Sequence, residues 1–278
     1  MKNILCLTVR KLNDDASKEY NSNLTNEQTY LLYKAMAEIV VHSAKHLIQE
    51  EFEVKIIDGN VSSYQEIFHK NFQEVYNLWQ QDGPNNILYL DGDTLVTNPV
   101  SVFGQHSEFR MFNYTDPKRL SGDDKNNKYG LDFEHYLNAG VRYYPAEMTE
   151  AVWDLGWGYA EDWDYNIWGT EQLIFNAMMY SQDPDYKHWV EPAMNYQLMS
   201  LPYQHLNNQQ AIDHFDNWNG TKMSDAKIMH LHGTRGAANT LLTQWTLWKK
   251  LTGEEFEFSN FELVKDAEGT ITSLALKK

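Results

Sequence analysis

The fold class predicted by this sequence is α/β: a wound, Rossmann-like mixed sheet with helices on both faces. Three observations predict it. Short apolar runs alternate with helix-period stretches over the first third of the chain. The short runs are nearly continuous in Val, Ile and Leu, as in strands buried on both faces. The breaks fall at turn residues, Asp58-Gly59 and Asp82-Gly83-Pro84.

Ile4 to Val9 reads as the first strand and the polar stretch Lys11 to Asn26 as a loop. Thr25 followed by Gln28 has the form of a capping box, which opens a helix running to about Glu50. Phe52, Val54, Ile56 and Ile57 make a second strand. A helix over Ser63 to Gln81 puts Ile67, Phe68, Phe72, Val75, Tyr76 and Trp79 on one side. Asn86 to Leu90 is a third strand, running directly into Asp91-Gly92-Asp93. Ligands of such sheets bind beyond the carboxyl ends of the strands.

Beyond this point the pattern is less regular. We expect a short helix at Pro99 to Gly104, a strand within Glu108 to Asn113 and a polar loop from Tyr114 to Glu134. A strand over Tyr136 to Tyr144 and a helix over Ala146 to Trp157 come next. Then follow a helix over Thr170 to Tyr180, a strand at Ile228 to Leu231 and a helix over Ala237 to Leu251. Phe256 to Leu276 alternates about Glu268-Gly269 like a hairpin. Residues 1–254 are expected to form one domain, with 255–278 as a hairpin appendage.

The formal net charge of −16 argues against nucleic acid as a partner, because an acidic surface repels phosphates. A nucleotide diphosphate would need local compensation from a cation. The one cysteine, Cys6, rules out a disulfide within the chain and fits a reducing, cytoplasmic setting. The N-terminal apolar run is short for a signal peptide, and no run approaches the about 20 apolar residues of a membrane span. The 9 Trp and 17 Tyr suit sugar-binding surfaces and equally suit an aromatic core.

Four constellations carry chemistry. Asp91 and Asp93, at i and i+2, point to one side of an extended chain, with Gly92 between them to let the backbone turn and a ligand approach. Hard divalent ions bind through such carboxylates together with substrate phosphates; the same tripeptide also serves as a plain surface turn. Ile228 to Gly236 ends a strand in His230 and His232, then turns through Gly233, Thr234 and Arg235. Imidazole is a good third ligand for Mn²⁺, while the turn and Arg235 would hold phosphate oxygens. Alternatively His230 is a core histidine and the turn only a helix entry. Asn138-Ala139-Gly140-Val141 offers an amide to sugar hydroxyls and a close approach at Gly140, or is a tight strand entry. Asp162, Asp164, Glu171 and Gln172 gather carboxylates and an amide around a helix start. They would serve an acceptor hydroxyl as base or stabilise a cationic sugar centre, or simply complement the helix dipole.

In this order the four elements resemble the GT-A fold glycosyltransferases, nearest to the glycogenin-like and lipopolysaccharide-galactosyltransferase-like group, of which this would be a divergent member. The residues that carry the likeness are Tyr89-Leu90-Asp91-Gly92-Asp93, Leu137-Asn138-Ala139-Gly140-Val141, Glu171-Gln172 and His230-Leu231-His232-Gly233. The resemblance implies Asp91, Asp93 and His230 as ligands of Mn²⁺ or Mg²⁺. It implies Thr8, Val9 and Arg10 near the base, and Asp91, Gly92, Asn138, Ala139, Gly140, Gly233 and Arg235 around the nucleotide and sugar. Gln172, Glu171 and Asp164 fall on the reactive side. The group's basic residue before the Asp-x-Asp strand has Lys70 as its nearest candidate, and Glu171 stands where the group has Asp.

The expected activity is transfer of a hexosyl group from a nucleotide-diphosphate sugar, UDP-linked by preference, to a hydroxyl of a carbohydrate or other acceptor. The loop Tyr114 to Glu134 is a candidate lid. Two alternatives stand beside it. A sugar-nucleotidyltransferase would carry a Gly-rich loop after the first strand, and here no glycine occurs before Gly59. A carbohydrate- or nucleotide-sugar-binding protein would keep the fold without catalysis.

Overall fold

The computed structural model describes residues 1–11, 25–60, 64–113, 137–162, 170–197, 217–218, 221–231, 237–267 and 271–277. In chain order the elements begin β1 (Asn3–Lys11), α1 (Asn26–Leu47), β2 (Glu53–Asn60), α2 (Tyr64–Gln80), β3 (Asn86–Leu90) and β4 (Thr94–Val96). They continue with β5 (Arg110–Met111), β6 (Val141–Tyr144), α3 (Glu150–Asp162), α4 (Thr170–Gln182), β7 (Tyr196–Gln197), β8 (Asn217–Trp218) and β9 (Thr221–Lys222). β10 (Ile228–His230), α5 (Ala237–Thr252), β11 (Phe261–Lys265) and β12 (Ile271–Leu276) complete the chain.

The central sheet has the order β2-β1-β3-β6-β5. β1 pairs parallel with β2 and β3, whereas β6 runs antiparallel to β3 and β5 antiparallel to β6. The period-2 alternation of side chains divides the core. Ile4, Cys6, Ile87, Tyr89 and Tyr144 face one layer with α2, α3 and α4. Leu5, Leu7, Val9, Leu88, Leu90 and Val141 face the other, with α1. The sheet is therefore mixed and covered by helices on both faces.

Local chemistry explains the first helix. Thr25 Oγ1 accepts from the Gln28 N–H at 3.2 Å, and Gln28 Oε1 accepts from the Thr25 N–H at 2.8 Å, closing the capping box. In α2 the residues Ile67, Phe68, Phe72, Val75 and Trp79 are buried, as their spacing requires.

Four expected elements differ. β2 does not break at Asp58-Gly59 but runs through them to Asn60, because they pair with Val9 and Arg10 of β1. The helix expected over Ala146 to Trp157 spans Glu150–Asp162. Pro99 to Gly104 is not a helix. Val100 instead makes a parallel bridge to Ile48, donating to Leu47 O (2.9 Å) and accepting from Gln49 N–H (3.0 Å), and Gly104 closes the turn with φ +74°. A tertiary backbone pairing here overrides local preference. The strand expected over Tyr136 to Tyr144 is confined to Val141–Tyr144. The Asn138 side chain accepts from the Gly140 N–H at 2.8 Å and holds residues 138–140 in a turn.

β4, β10 and β7 form a small second sheet beyond the end of β3. β11 and β12 pair antiparallel, and Phe258 and Phe261 pack into a core shared with α1 and α5. No described helix is long and apolar enough to cross a membrane.

Candidate metal centre

β3 delivers Asp91 at its carboxyl end, and the chain turns at once into β4. β10 lies antiparallel to β4 with His230 opposite Thr94, which places its imidazole beside the preceding carboxylate. His230 Nε2 stands 3.2 Å from Asp93 Oδ1. One ligand atom from each of Asp91, Asp93 and His230 lies within 4.8 Å of the other two. Two carboxylates and an imidazole form a donor set that fits Mn²⁺ or Mg²⁺. His230 is 2% exposed. Burial works against its protonation, but the charge and hydrogen bond of Asp93, joined by Asp91, outweigh burial and hold its pKa above the ordinary imidazole value.

The Asp-Gly-Asp turn is braced from behind. The Asp91 N–H donates to Gly140 O at 2.8 Å, and the Leu231 N–H donates to Asp93 O at 2.8 Å. Gln244, on α5, donates through Nε2 to Gly92 O (2.8 Å) and Thr94 O (2.7 Å). The Ser43 hydroxyl, on α1, accepts from the Val96 N–H at 3.2 Å. Gly92 does not have a left-handed backbone, and a Cβ there would meet only Met36 Cε at 4.0 Å. The turn rests on its hydrogen bonds rather than on glycine's freedom.

Gly140 has a different neighbour from the one its sequence context implied. A Cβ at this position would lie 2.1 Å from His230 Cε1 and 2.4 Å from Nδ1. The space opened by the missing side chain is filled by the His230 ring itself. Asn138 is 1% exposed, and its Oδ1 also accepts from Asn195 Nδ2 at 3.2 Å. Its amide belongs to an internal network with Asn113 and Asn195. The Ala139 N–H donates to Gln172 Oε1 at 3.1 Å. Asn176, one turn on, accepts from the Leu137 N–H and donates to Leu137 O, both at 2.8 Å, docking α4 against this segment. Glu171 opens α4 and shares a cleft with Asp91.

That cleft contains a residue the sequence reading passed over. Arg142 lies on the α2/α4 face of β6 and is 6% exposed. Its guanidinium stacks on Tyr89 (3.9 Å to the ring centroid) and on Phe175 (4.2 Å). Its Nε has no hydrogen-bond partner among the described residues. Burial alone would lower its pKa. The Tyr144 and Tyr89 phenols, with Asp91 and Glu171, more than offset that and push it up. Asn71 of α2 also lines the cleft, whose volume of about 10 Å³ admits about one water and no sugar ring. Lys70, the earlier candidate for a basic residue here, turns away: its Nζ donates to Asp58 O at 2.5 Å. A charged residue inside a four-residue strand otherwise made of Val and Tyr was the available signal. For Gln244 the signal was a long amide on the buried stripe of a helix.

Thr8 and Val9 are buried near the end of β1, and the Tyr89 hydroxyl donates to Thr8 Oγ1 at 2.8 Å. The side chain of Arg10 and all of Asp164, Gly233, Arg235 and the loop Tyr114 to Glu134 lie outside the described residues.

Neither the protein-family models nor the curated proteins include a match to this chain. The chain is similar to solved glycosyltransferases. One is involved in glycosylation of the major capsid of PBCV-1, at 12% identity and TM-score 0.45, over 88% of this chain and 98% of that one. The galactosyltransferase LgtC, solved with donor and acceptor sugar analogues, has 13% identity and TM-score 0.46 over 90% and 96%. Mouse xyloside xylosyltransferase 1 has 13% identity and TM-score 0.48 over 84% and 99%.

Proposed function

We propose that this chain transfers a sugar from a nucleotide-diphosphate sugar, UDP-linked by preference, to a hydroxyl of a carbohydrate or other acceptor. The observation that carries this reading is the convergence of Asp91 and Asp93, from the turn after β3, with His230, from β10, beyond the carboxyl end of β3. Ligands of wound sheets bind at such an end. Mn²⁺ or Mg²⁺ held by these three residues would neutralise the diphosphate and the charge on the departing nucleotide.

The protein's own groups do the positioning. Gln244 and the Leu231 N–H fix the backbone that presents the two carboxylates. The ring of His230 is seated against Gly140. Arg142 places a fixed positive charge opposite Asp91 and Glu171, in a desolvated setting where such a charge acts strongly. Glu171 and Asp164 are the candidates for the reactive side, with Gln172 orienting the Ala139 amide beside them. Thr8, Val9 and Arg10 would border the base, Gly92 the sugar, and Gly233 and Arg235 the diphosphate. Residues 138–140, expected from the sequence to meet the sugar, would instead support the site from behind through the Asp91 N–H bond to Gly140 O and the seat of the His230 ring. Catalysis is assigned to residues 1–254, with 255–278 as an attached hairpin. The buried thiol of Cys6 suits a reducing, cytoplasmic compartment.

Calorimetric titration of UDP and GDP, with Mn²⁺ or with EDTA, tests the reading on the natural chain and on Asp93→Ala. The expected result is binding of one nucleotide that requires Mn²⁺ and is lost in Asp93→Ala. Absence of binding by either nucleotide under all conditions overturns it.

A further inference from the structure

On the far side of α1 from the sheet, a second group of ligating side chains comes together. His42 and His46 lie four residues apart on one face of the last turns of α1. Glu254 follows the end of α5 by two residues. One ligand atom from each of the three lies within 4.8 Å of the others. The C-terminal ends of both helices thus meet at this point, where their dipoles favour a cation.

The surroundings hold two of the three in place. The His42 and His46 rings have centroids 4.4 Å apart. His42 is packed edge-on against Trp248 at 4.9 Å and at a tilt against Phe256, also at 4.9 Å. His46 Nδ1 is 3.1 Å from the His42 carbonyl oxygen. A carbonyl can only accept, so Nδ1 carries the proton and the lone pair sits on Nε2. A hydrogen bond from the other ring nitrogen to an acceptor is the usual way a metal-binding imidazole is oriented. The Glu254 N–H donates to Thr252 Oγ1 at 3.1 Å, which ties down the backbone that carries the carboxylate.

The donor set differs from that of the first centre. Two imidazoles and one carboxylate match the ligand preference of Zn²⁺, which takes three protein ligands and a water when one position is open. Bond lengths of about 2.0–2.2 Å in a tetrahedron place ligand atoms roughly 3.4 Å apart. Ligand atoms up to 4.8 Å apart would need to close by at most about 1.4 Å, which the exposed Glu254 side chain can largely supply by rotation while His46 keeps its Nδ1 hydrogen bond.

We propose that His42, His46 and Glu254 form a binding site for a Zn²⁺-class ion that staples the end of α1 to the end of α5. The consequence reaches the Asp91 centre without touching it. Ser43, adjacent to His42, holds Val96 of β4, and Gln244 of α5 holds Gly92 and Thr94. An ion that locks α1 to α5 therefore clamps the strand and turn that carry Asp91 and Asp93.

The test uses the full chain, stripped of metal, with Zn²⁺ alone as the probe. In the Asp93→Ala background the first centre keeps only Asp91 and His230 and is expected to bind Zn²⁺ much more weakly than the second. We expect one Zn²⁺ per chain there, bound at least tenfold more weakly after His46→Ala and after Glu254→Gln. Zn²⁺ should also raise the thermal midpoint in the parent and not in these two variants. Should Asp93→Ala fail to fold, the same comparison in the natural chain reads as loss of one Zn²⁺ equivalent on His46→Ala. Zn²⁺ binding that both substitutions leave unchanged, or no binding at all, overturns the proposal.

Discussion

The two faces of the central sheet are built from the same strands and do different work. Toward α1, β1 and β3 present Leu5, Leu7, Val9, Leu88 and Leu90, an aliphatic surface with no group to offer a ligand. Toward α2 and α4 the alternate positions carry Cys6, Thr8, Tyr89, Arg142 and Tyr144. The first face is a packing surface. The second is aromatic and polar, and its rings form the seat of a buried cation that faces Asp91 and Glu171. Because side chains alternate strictly, one-residue steps along a strand move between stability and chemistry.

Substitutions on the two faces should separate these roles. The largest effect on folding is expected for Leu88→Ala, fully buried on the aliphatic face. It should lower stability by about 2–5 kcal/mol in chemical denaturation, with metal-dependent nucleotide affinity unchanged in the folded fraction. A parallel loss of affinity would erase the distinction between the faces.

Arg142→Leu tests the other face. We expect kcat/KM for sugar transfer to fall about a hundredfold, roughly 2.7 kcal/mol, while the thermal midpoint is kept or raised, since an apolar side chain of similar size avoids the desolvation cost of a buried charge. Arg142→Lys should fail to restore activity because an ammonium lacks the planar stack on two rings. Full activity in Arg142→Leu would reduce Arg142 to a packing residue.

Gly140→Ala is expected to cost about 1–3 kcal/mol by overpacking. It should also weaken Mn²⁺ binding about tenfold, because the new Cβ meets the His230 ring at 2.1 Å. Calorimetry with Mn²⁺ checks the second effect separately from the first.

The smallest effect concerns Cys6. Burial pushes its thiol up to about 12 from an ordinary 9.0. A folded-state pKa raised in this way gives stability that is present in full below the unfolded pKa and lost as the pH rises from about 9 toward 12. A thiol reagent at pH 8 should label Cys6 only on unfolding. Rapid labelling of the native chain would mean that the aromatic face opens.

Much of the scaffold could be read from periodicity. The capping box at Thr25, the apolar stripe of α2 and the run Asn86 to Leu90 are local signals, and the elements they mark follow those signals. Pro99 to Gly104 could not be read this way, because its backbone partners, Leu47 and Gln49, lie some fifty residues earlier. At the site, the grouping of Asp91, Asp93 and His230 was visible as strand ends. The reason for Gly140 was not, since it depends on a ring from β10. Gln244 and Arg142 act across the fold, and only their polarity at buried positions hinted at them.

The bracing of the Asp-Gly-Asp turn also bears on ion choice. Each carbonyl from Asp91 to Thr94 accepts a hydrogen bond: Asp91 from Thr94, Gly92 and Thr94 from Gln244, and Asp93 from Leu231. Ca²⁺ fills its shell of about 6–8 oxygens partly with backbone carbonyls, whereas Mg²⁺ keeps a compact octahedron of about 2.0–2.1 Å around waters, phosphates and one or two carboxylates. An ion held by Asp91, Asp93 and His230 would meet main-chain oxygens that already accept hydrogen bonds and are held in place by them, a setting that would suit a compact ion bringing its own waters and phosphates better than one that gathers many carbonyls.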